Sequence, residues 1–259
     1  MSEPCAAIVR LAPEWDRPDV RASLLGLEAV SRRVASSGVI HAGRNLLFRH
    51  RVGGEEVVVK RFSVIGGRRL VYRLRTSKAV RTFDHASRLM ALGIGTPRPL
   101  AAVDVRQGRA LLTSFYCCAF VPAFREARVL KRLETPDRAT LLEQLGEFIG
   151  RLHESGVLHR DLTSGNVLLV EDQGQPGTVT FQLVDLNRMR FSPVGARAGL
   201  ANLAQLRLHD DDALLRGYCR FRGLAVARAA RYYHLRLGLR SFKQTLKERT
   251  RPWRRRLGL

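Results

Sequence analysis

Residues 157–169 read Val157-Leu158-His159-Arg160-Asp161-Leu162-Thr163-Ser164-Gly165-Asn166-Val167-Leu168-Leu169, a His-Arg-Asp triplet with an asparagine five residues beyond the aspartate and an apolar run after it. Nineteen residues past Asn166, a second apolar run, Leu183-Val184, ends in Asp185-Leu186-Asn187. Phosphoryl transfer needs these groups. A carboxylate must orient the attacking hydroxyl and accept its proton, and an amide oxygen and a second carboxylate must hold Mg²⁺ against nucleotide phosphates. Asp161 fits the first role, and Asn166 with Asp185 fits the second. The five-residue gap lets one loop present base and metal ligand from the same side.

A candidate cation for the phosphates stands upstream. Glu55-Glu56-Val57-Val58-Val59-Lys60-Arg61-Phe62 alternates as a strand and places Lys60 at its end, where it can reach the α- and β-phosphates. Such a lysine needs an acid to fix it. The helical stretch Ser77–Leu92 offers one carboxylate, Asp84, so Lys60–Asp84 is the expected pair. His159 reads as a structural hydrogen-bonding residue of the loop, and Arg160 as the partner of a nearby carboxylate. Asn187 and Arg188 could line an acceptor site, and Arg188 could equally be a structural salt-bridge residue.

The elements that must position these groups follow from patterning. Residues 1–20 carry Pro4, Pro13 and Pro18 and read as an irregular lead-in, followed by helical spacing over Asp19–Ser36. Leu46–Val52 and Glu55–Phe62 read as strands joined by the Gly53-Gly54 turn. Ser77–Leu92 has a helical apolar face. Arg98–Val103 and Ala110–Val121 read as strands around a turn near Gln107-Gly108, and Asp137–Glu154 as a long amphipathic helix. Beyond about residue 196 the chain reads helical and basic. The expected fold class is α+β, with a sheet-rich N-lobe and a helical C-lobe. The expected divisions are 1–36, a lead-in and helix; 37–121, the N-lobe; and 122–259, the C-lobe with a basic tail.

Composition narrows the partners. The chain has 259 residues, 45% hydrophobic and 26% charged, enough apolar material for a core. Lys plus Arg number 45 against 23 Asp plus Glu, a net charge of +22, so an acidic partner is expected: nucleic acid, an anionic membrane surface or phosphorylated molecules. Four cysteines are too few to staple the chain, and the adjacent Cys117-Cys118 suits no metal clip; all four read as buried apolar residues in a reducing compartment. Met1-Ser2-Glu3-Pro4 opens no secretory signal, and the longest apolar stretch, Ala110–Val121, is too short to span a bilayer. From Ala213 to Leu259 there are 14 Lys/Arg and one acid, Glu248, with Phe242, Leu246 and Trp253 interleaved. Basic residues beside an aromatic anchor suit an anionic interface or a phosphorylated glycolipid.

Taken together, Lys60, Asp84, Asp161, Asn166 and Asp185 stand in protein-kinase-like order. The chain resembles the bacterial lipopolysaccharide core kinases, the Kdo and heptose kinases of protein-kinase-like fold. The resemblance covers about residues 38–240 and rests on Gly43-Arg44-Asn45, Val59-Lys60-Arg61-Phe62, Ser77-Lys78-Ala79, Leu92-Gly93-Ile94-Gly95-Thr96-Pro97-Arg98-Pro99, the His159–Asn166 loop and Asp185-Leu186-Asn187-Arg188-Met189-Arg190-Phe191. It implies a two-lobe fold, ATP and Mg²⁺ as cofactors, and a sugar hydroxyl of the lipid A–core glycolipid as acceptor. It also implies work at the cytoplasmic face of the inner membrane of a Gram-negative cell. The basic C-terminus is expected on that anionic surface, and nucleic acid is not the expected partner.

Two departures stand out. The G-x-G-x-x-G phosphate loop is absent; only Gly43 stands in the corresponding turn, with Arg44 and Asn45 beside it as candidate nucleotide contacts. The helix acid is Asp84 rather than a glutamate, one methylene shorter. No A-P-E and no long Ser/Thr/Tyr-rich activation segment follows Asp185, which favours a small-molecule or glycolipid acceptor over a peptide. A small atypical protein kinase of RIO-like type and a lipid-binding pseudokinase remain alternatives. An aminoglycoside-type acceptor is a poor match to a +22 chain.

Overall fold

The computed structural model describes residues 4–43, 45–64, 66, 71–72, 75–133, 137–172, 178–208 and 212–240. They divide into two compact units. One comprises Met1–Phe124 with Gln182–Asn187, the other Arg125–Phe181 with Arg188–Leu259.

The first unit is built on a six-stranded antiparallel sheet. Its strands are β1 (Cys5–Leu11), β2 (Val39–Ala42), β3 (Asn45–Val52), β4 (Glu55–Ser63), β5 (Pro99–Gln107) and β6 (Ala110–Ala119), in the order β1-β5-β6-β4-β3-β2. The β3–β4 hairpin turns at Gly53 and Gly54, both at positive φ (56° and 85°), a turn whose twist matches the strands and which glycine adopts without strain. Strand side chains alternate between faces. Val57 and Val59 therefore join Trp15, Leu24, Leu27 and Phe48 in one core, under helices α1 (Pro18–Leu25) and α2 (Leu27–Arg33). Lys60 projects to the other face. Helix α3 (Lys78–Ala91) opens with the Ser77 hydroxyl accepting from the Val80 N–H at 3.2 Å, and buries Ala79, Val80, Phe83, Ala86 and Leu89.

The N-terminal lead-in differs from expectation. Cys5–Leu11 is a strand paired antiparallel with β5, from Cys5 opposite Arg106 to Leu11 opposite Ala101. The prolines at 4 and 13 flank this edge strand and do not interrupt it, so no ladder N–H is lost. The single helix expected over Asp19–Ser36 is two helices that meet at Gly26, a residue with low intrinsic preference for continuing a helix. Nor are all four cysteines buried: Cys117, Cys118 and Cys219 are, whereas Cys5 is exposed on the edge strand, and all four are free thiols.

The second unit centres on helix α4 (Asp137–Glu154), which packs against helix α6 (Asp212–Arg222). Gly146 and Gly217 allow the close approach. A methyl on Gly146 would meet the Leu214 carbonyl, and one on Gly217 would meet the Glu143 backbone. Gly217→Ala should therefore destabilise this unit by about 1–3 kcal/mol. The measurement is the thermal midpoint, which should fall by roughly 2–4 °C per kcal/mol; an unchanged midpoint would contradict the close packing. Helix α5 (Ala196–Leu203) precedes α6, and residues 226–240 form a further helix, α7. The short strands β8 (Val157–His159) and β11 (Met189–Phe191) pair antiparallel, with His159 opposite Met189. A three-stranded sheet runs β10 (Val179–Leu183), β9 (Val167–Glu171), β7 (Phe124–Glu126). Among the described residues no helix is long and apolar enough to cross a membrane.

Candidate active site

In the first unit, Lys60 and Asp185 come together. Lys60 Nζ lies 2.6 Å from Asp185 Oδ1, with the side chains 20% and 33% exposed, and 5.4 Å from the centre of the Phe62 ring. Limited water strengthens the pair over a surface ion pair. The Asn187 amide donates to the same Asp185 oxygen at 2.7 Å. Asp185 sits at φ 57°, a left-handed conformation unusual for a residue other than glycine. Such strain persists only where the surroundings over-determine it, and it concentrates at functional sites.

The surroundings do over-determine it. Before Asp185, the Leu183 N–H donates to the Gly95 carbonyl at 2.8 Å, and the Thr96 hydroxyl donates to the Leu183 carbonyl at 2.9 Å. After it, His85 of α3 donates from Nδ1 to the Leu186 carbonyl at 2.7 Å. Burial pulls the His85 imidazole below its ordinary value, only partly offset by that backbone contact. Gly95 and Thr96 thus have a mechanical role: they clamp the end of the strand that leads into Asp185.

The expected Lys60–Asp84 pair is not formed. Asp84 instead meets Arg10 of β1, Nε to Oδ1 at 2.8 Å and Nη2 to Oδ2 at 3.5 Å. The cause is helix phase. His85 faces the Asp185 segment, and Asp84, 100° further round the helix, turns toward β1. The β1–β5 register shifts between Ile8 and Arg10, an irregularity of the kind that re-aims a side chain. At 45% and 42% exposure the Arg10–Asp84 pair contributes little stability. Gly43 and Asn45 close the β2–β3 turn through a Gly43 N–H to Asn45 carbonyl bond of 3.2 Å; Arg44 lies outside the described residues.

In the second unit, Asp161 and Asn166 come together. The loop after β8 is braced by its own backbone. The Asp161 carbonyl accepts from the Thr163 N–H at 2.8 Å and from the Asn166 side-chain amide at 2.8 Å, and the Asn166 N–H donates to the Thr163 carbonyl at 2.9 Å. Asn166 uses a side-chain N–H on the loop, and its amide oxygen is of the hard type that Mg²⁺ takes. His159 is fully buried and accepts from the Asp161 N–H on Nδ1 at 3.2 Å, the structural part expected of it. Leu162 anchors the loop in the core. Arg188 approaches the Asp161 carboxylate, Nη1 to Oδ2 at 3.5 Å, both side chains about half exposed.

A buried network beneath this loop has no sequence motif. Asn202 of α5 donates from Nδ2 to the His159 carbonyl at 2.9 Å and accepts from His153 Nε2 at 3.1 Å. The Tyr218 hydroxyl donates to His153 Nδ1 at 2.9 Å. Burial pulls the His153 pKa down to about 4, against about 6.5 for an exposed histidine. The folded state therefore binds fewer protons than the unfolded chain between these values. Its contribution is complete above pH 6.5 and is lost as pH falls toward 4. The expected loss is about 3 kcal/mol by linkage. It should appear as a steep acid limb in chemical denaturation between pH 6.5 and 4, flattened in His153→Gln.

The model of the lipopolysaccharide kinase (Kdo/WaaP) family matches residues 28–218. A 3-deoxy-D-manno-octulosonic acid kinase of Xylella fastidiosa (strain 9a5c) is 28% identical over 151 residues, 54% of this chain and 52% of that protein. The KEOPS complex subunit Bud32 of Pyrococcus abyssi is 26% identical over 99 residues, 38% of this chain and 42% of that protein. The chain thus spans about half or less of the length of these curated relatives. The solved structure of WaaP in complex with acyl carrier protein has a TM-score of 0.62 at 20% identity, covering 92% of this chain and 97% of that one. The shared architecture is the α+β, kinase-like one, sheet-rich in its N-terminal part.

Proposed function

The chain belongs to the lipopolysaccharide kinase (Kdo/WaaP) family, and from that premise we propose that it is an ATP- and Mg²⁺-dependent kinase of a sugar hydroxyl, Kdo or heptose, in the lipopolysaccharide inner core. The observation that carries this reading is the Lys60–Asp185 pair held on a strained, multiply clamped segment. The Asp161–Asn166 loop supplies the other expected groups.

In this reading Asp161 orients the acceptor hydroxyl and takes its proton. The hydroxyl oxygen bonds to the γ-phosphorus as the bond from that phosphorus to the β–γ bridging oxygen breaks, and ADP leaves with the electron pair. Lys60 neutralises phosphate charge, and the Gly43–Asn45 turn contributes a nucleotide contact. Arg188 keeps the Asp161 carboxylate oriented. The residues proposed to hold Mg²⁺ are Asp185 and Asn166. A carboxylate and an amide oxygen are hard donors of the kind Mg²⁺ takes, one or two from protein with phosphates completing the shell. Bound there, the ion would neutralise charge developing on the phosphates.

The +22 charge favours a polyanionic acceptor, and the basic C-terminal residues favour reversible docking on an anionic membrane from the cytoplasmic side. The tail carrying Phe242, Leu246 and Trp253 lies outside the described residues. The test is incubation of the protein with Mg²⁺, γ-labelled ATP and deacylated core oligosaccharide. Label on the sugar is the expected result. Label only in released phosphate or on protein would contradict the glycolipid acceptor.

A further inference from the structure

Arg125, Arg128, Arg188, Arg216, Arg220 and Arg222 in the second unit each face an Asp or Glu within 4 Å. Arg207, Arg236 and Arg240 are different. All three are half-buried, and among the described residues none has a carboxylate partner. Arg236 and Arg240 stand one turn apart on α7, and Arg207 follows α5 at φ 51°, an unusual conformation for arginine. Arg207 Nη2 reaches the Arg240 carbonyl at 3.3 Å, and Arg240 Nη2 reaches the Ala201 carbonyl at 3.4 Å, so backbone contacts tie the three residues' elements together. Nearby Asp212 faces His234, at 3.9 Å, and not these arginines. The Nε atoms of Arg236 and Arg240 are buried with no acceptor.

Arg236 and Arg207 act electrostatically on Arg240 with no carboxylate partner among the described residues, so like charges repel, and two orphaned buried donors add a desolvation penalty. Burial first, then the Arg236 and Arg207 charges, draw Arg240 below its ordinary value. Helix carbonyls satisfy part of this, since Arg240 ends the described part of α7, but they leave both Nε donors unused. An anion would supply the counter-charge that these arginines lack among the described residues. Guanidinium forks match phosphate bidentately, and a phosphomonoester carries both the charge and the oxygens.

We propose that Arg207, Arg236 and Arg240 form a binding site for a phosphomonoester group, separate from the residues assigned to phosphoryl transfer. The group is carried either as a soluble phosphate or as the headgroup of a lipid. The site requires no turnover, so it can stand or fall independently of the kinase reading.

The experiment compares the full chain with its Arg236→Gln/Arg240→Gln variant. At about 10 mM inorganic phosphate, against chloride of equal ionic strength, a dissociation constant of about 1 mM raises the wild-type thermal midpoint by roughly 3 °C. The variant should lose that shift. A second arm is co-sedimentation with vesicles of phosphatidic acid, a monoester, against phosphatidylglycerol, a diester. Arginine-dependent preference for phosphatidic acid assigns a lipid headgroup; a phosphate shift without that preference assigns a soluble group. Equal shifts in both proteins, or none in the wild type, would overturn the site. If the variant does not fold, phenylglyoxal labelling of the wild-type chain decides. Phosphate should slow modification of Arg207, Arg236 and Arg240 several-fold while sparing none of the exposed Arg228 and Arg231; uniform labelling overturns the proposal.

Discussion

Asp161→Asn should lower kcat for sugar phosphorylation by about 10²–10⁴-fold, the range of a general base, with ATP binding unchanged. The substitution isolates chemistry from folding. The bonds that shape the loop use the Asp161 backbone: its carbonyl accepts from Thr163 and Asn166, and its N–H donates to His159. The carboxylate itself meets Arg188 at 3.5 Å in a half-exposed pair, which contributes little to stability. Asparagine keeps the size and shape but cannot take up the acceptor's proton. A thermal midpoint within about 1 °C of wild type should accompany the lost rate, because surface changes of this kind fall within about 0.5 kcal/mol. Retained turnover would remove Asp161 from the role of base.

Asp185→Asn should reduce kcat by about 10²–10³-fold, the effect of deleting one electrostatic stabiliser, and should raise the Mg²⁺ concentration needed for half-maximal rate. Asparagine is the informative replacement because it tolerates the left-handed conformation that Asp185 adopts. The clamps from Gly95, Thr96 and His85 act on Leu183 and Leu186, so they survive the change. What is lost is charge: a ligand type for the metal, and the counter-ion 2.6 Å from Lys60. Titrating Mg²⁺ into both proteins at saturating ATP separates the two consequences. An unchanged Mg²⁺ dependence would contradict the metal role even if the rate fell.

Much of this was legible in local sequence, and the reason lies in how local the signals are. Strand alternation around Val57-Val58-Val59-Lys60 placed the lysine on its face, and Gly53-Gly54 set the hairpin. Ser77 and Asp137 opened their helices where the pattern put them. The His159–Asn166 loop is one short segment, so its spacing carries its geometry. Partnerships across long separations were not legible. Whether Asp84 or His85 faces the Asp185 segment depends on a single step of helix rotation, which an apolar stripe does not resolve. Arg10 is 74 residues from Asp84 and sits on a strand that its flanking prolines disguised. Asn202 joins His153 to the His159 carbonyl across 43 residues of sequence, and a lone asparagine in an apolar helix announces nothing. The clamp on Leu183 had a visible signal, the Gly95-Thr96 pair, but its purpose needed the register of the strand it holds.

The most direct test of the central claim is a side-by-side assay of wild type and Asp161→Asn with Mg²⁺, γ-labelled ATP and deacylated core oligosaccharide, with nucleotide binding measured on both. The expected result is label on a core sugar for the wild type, at least 100-fold less for the variant by the base's expected contribution, and equal nucleotide affinity. Equal labelling by the two proteins, or no label on sugar from a wild type that binds Mg²⁺ and ATP, would contradict it.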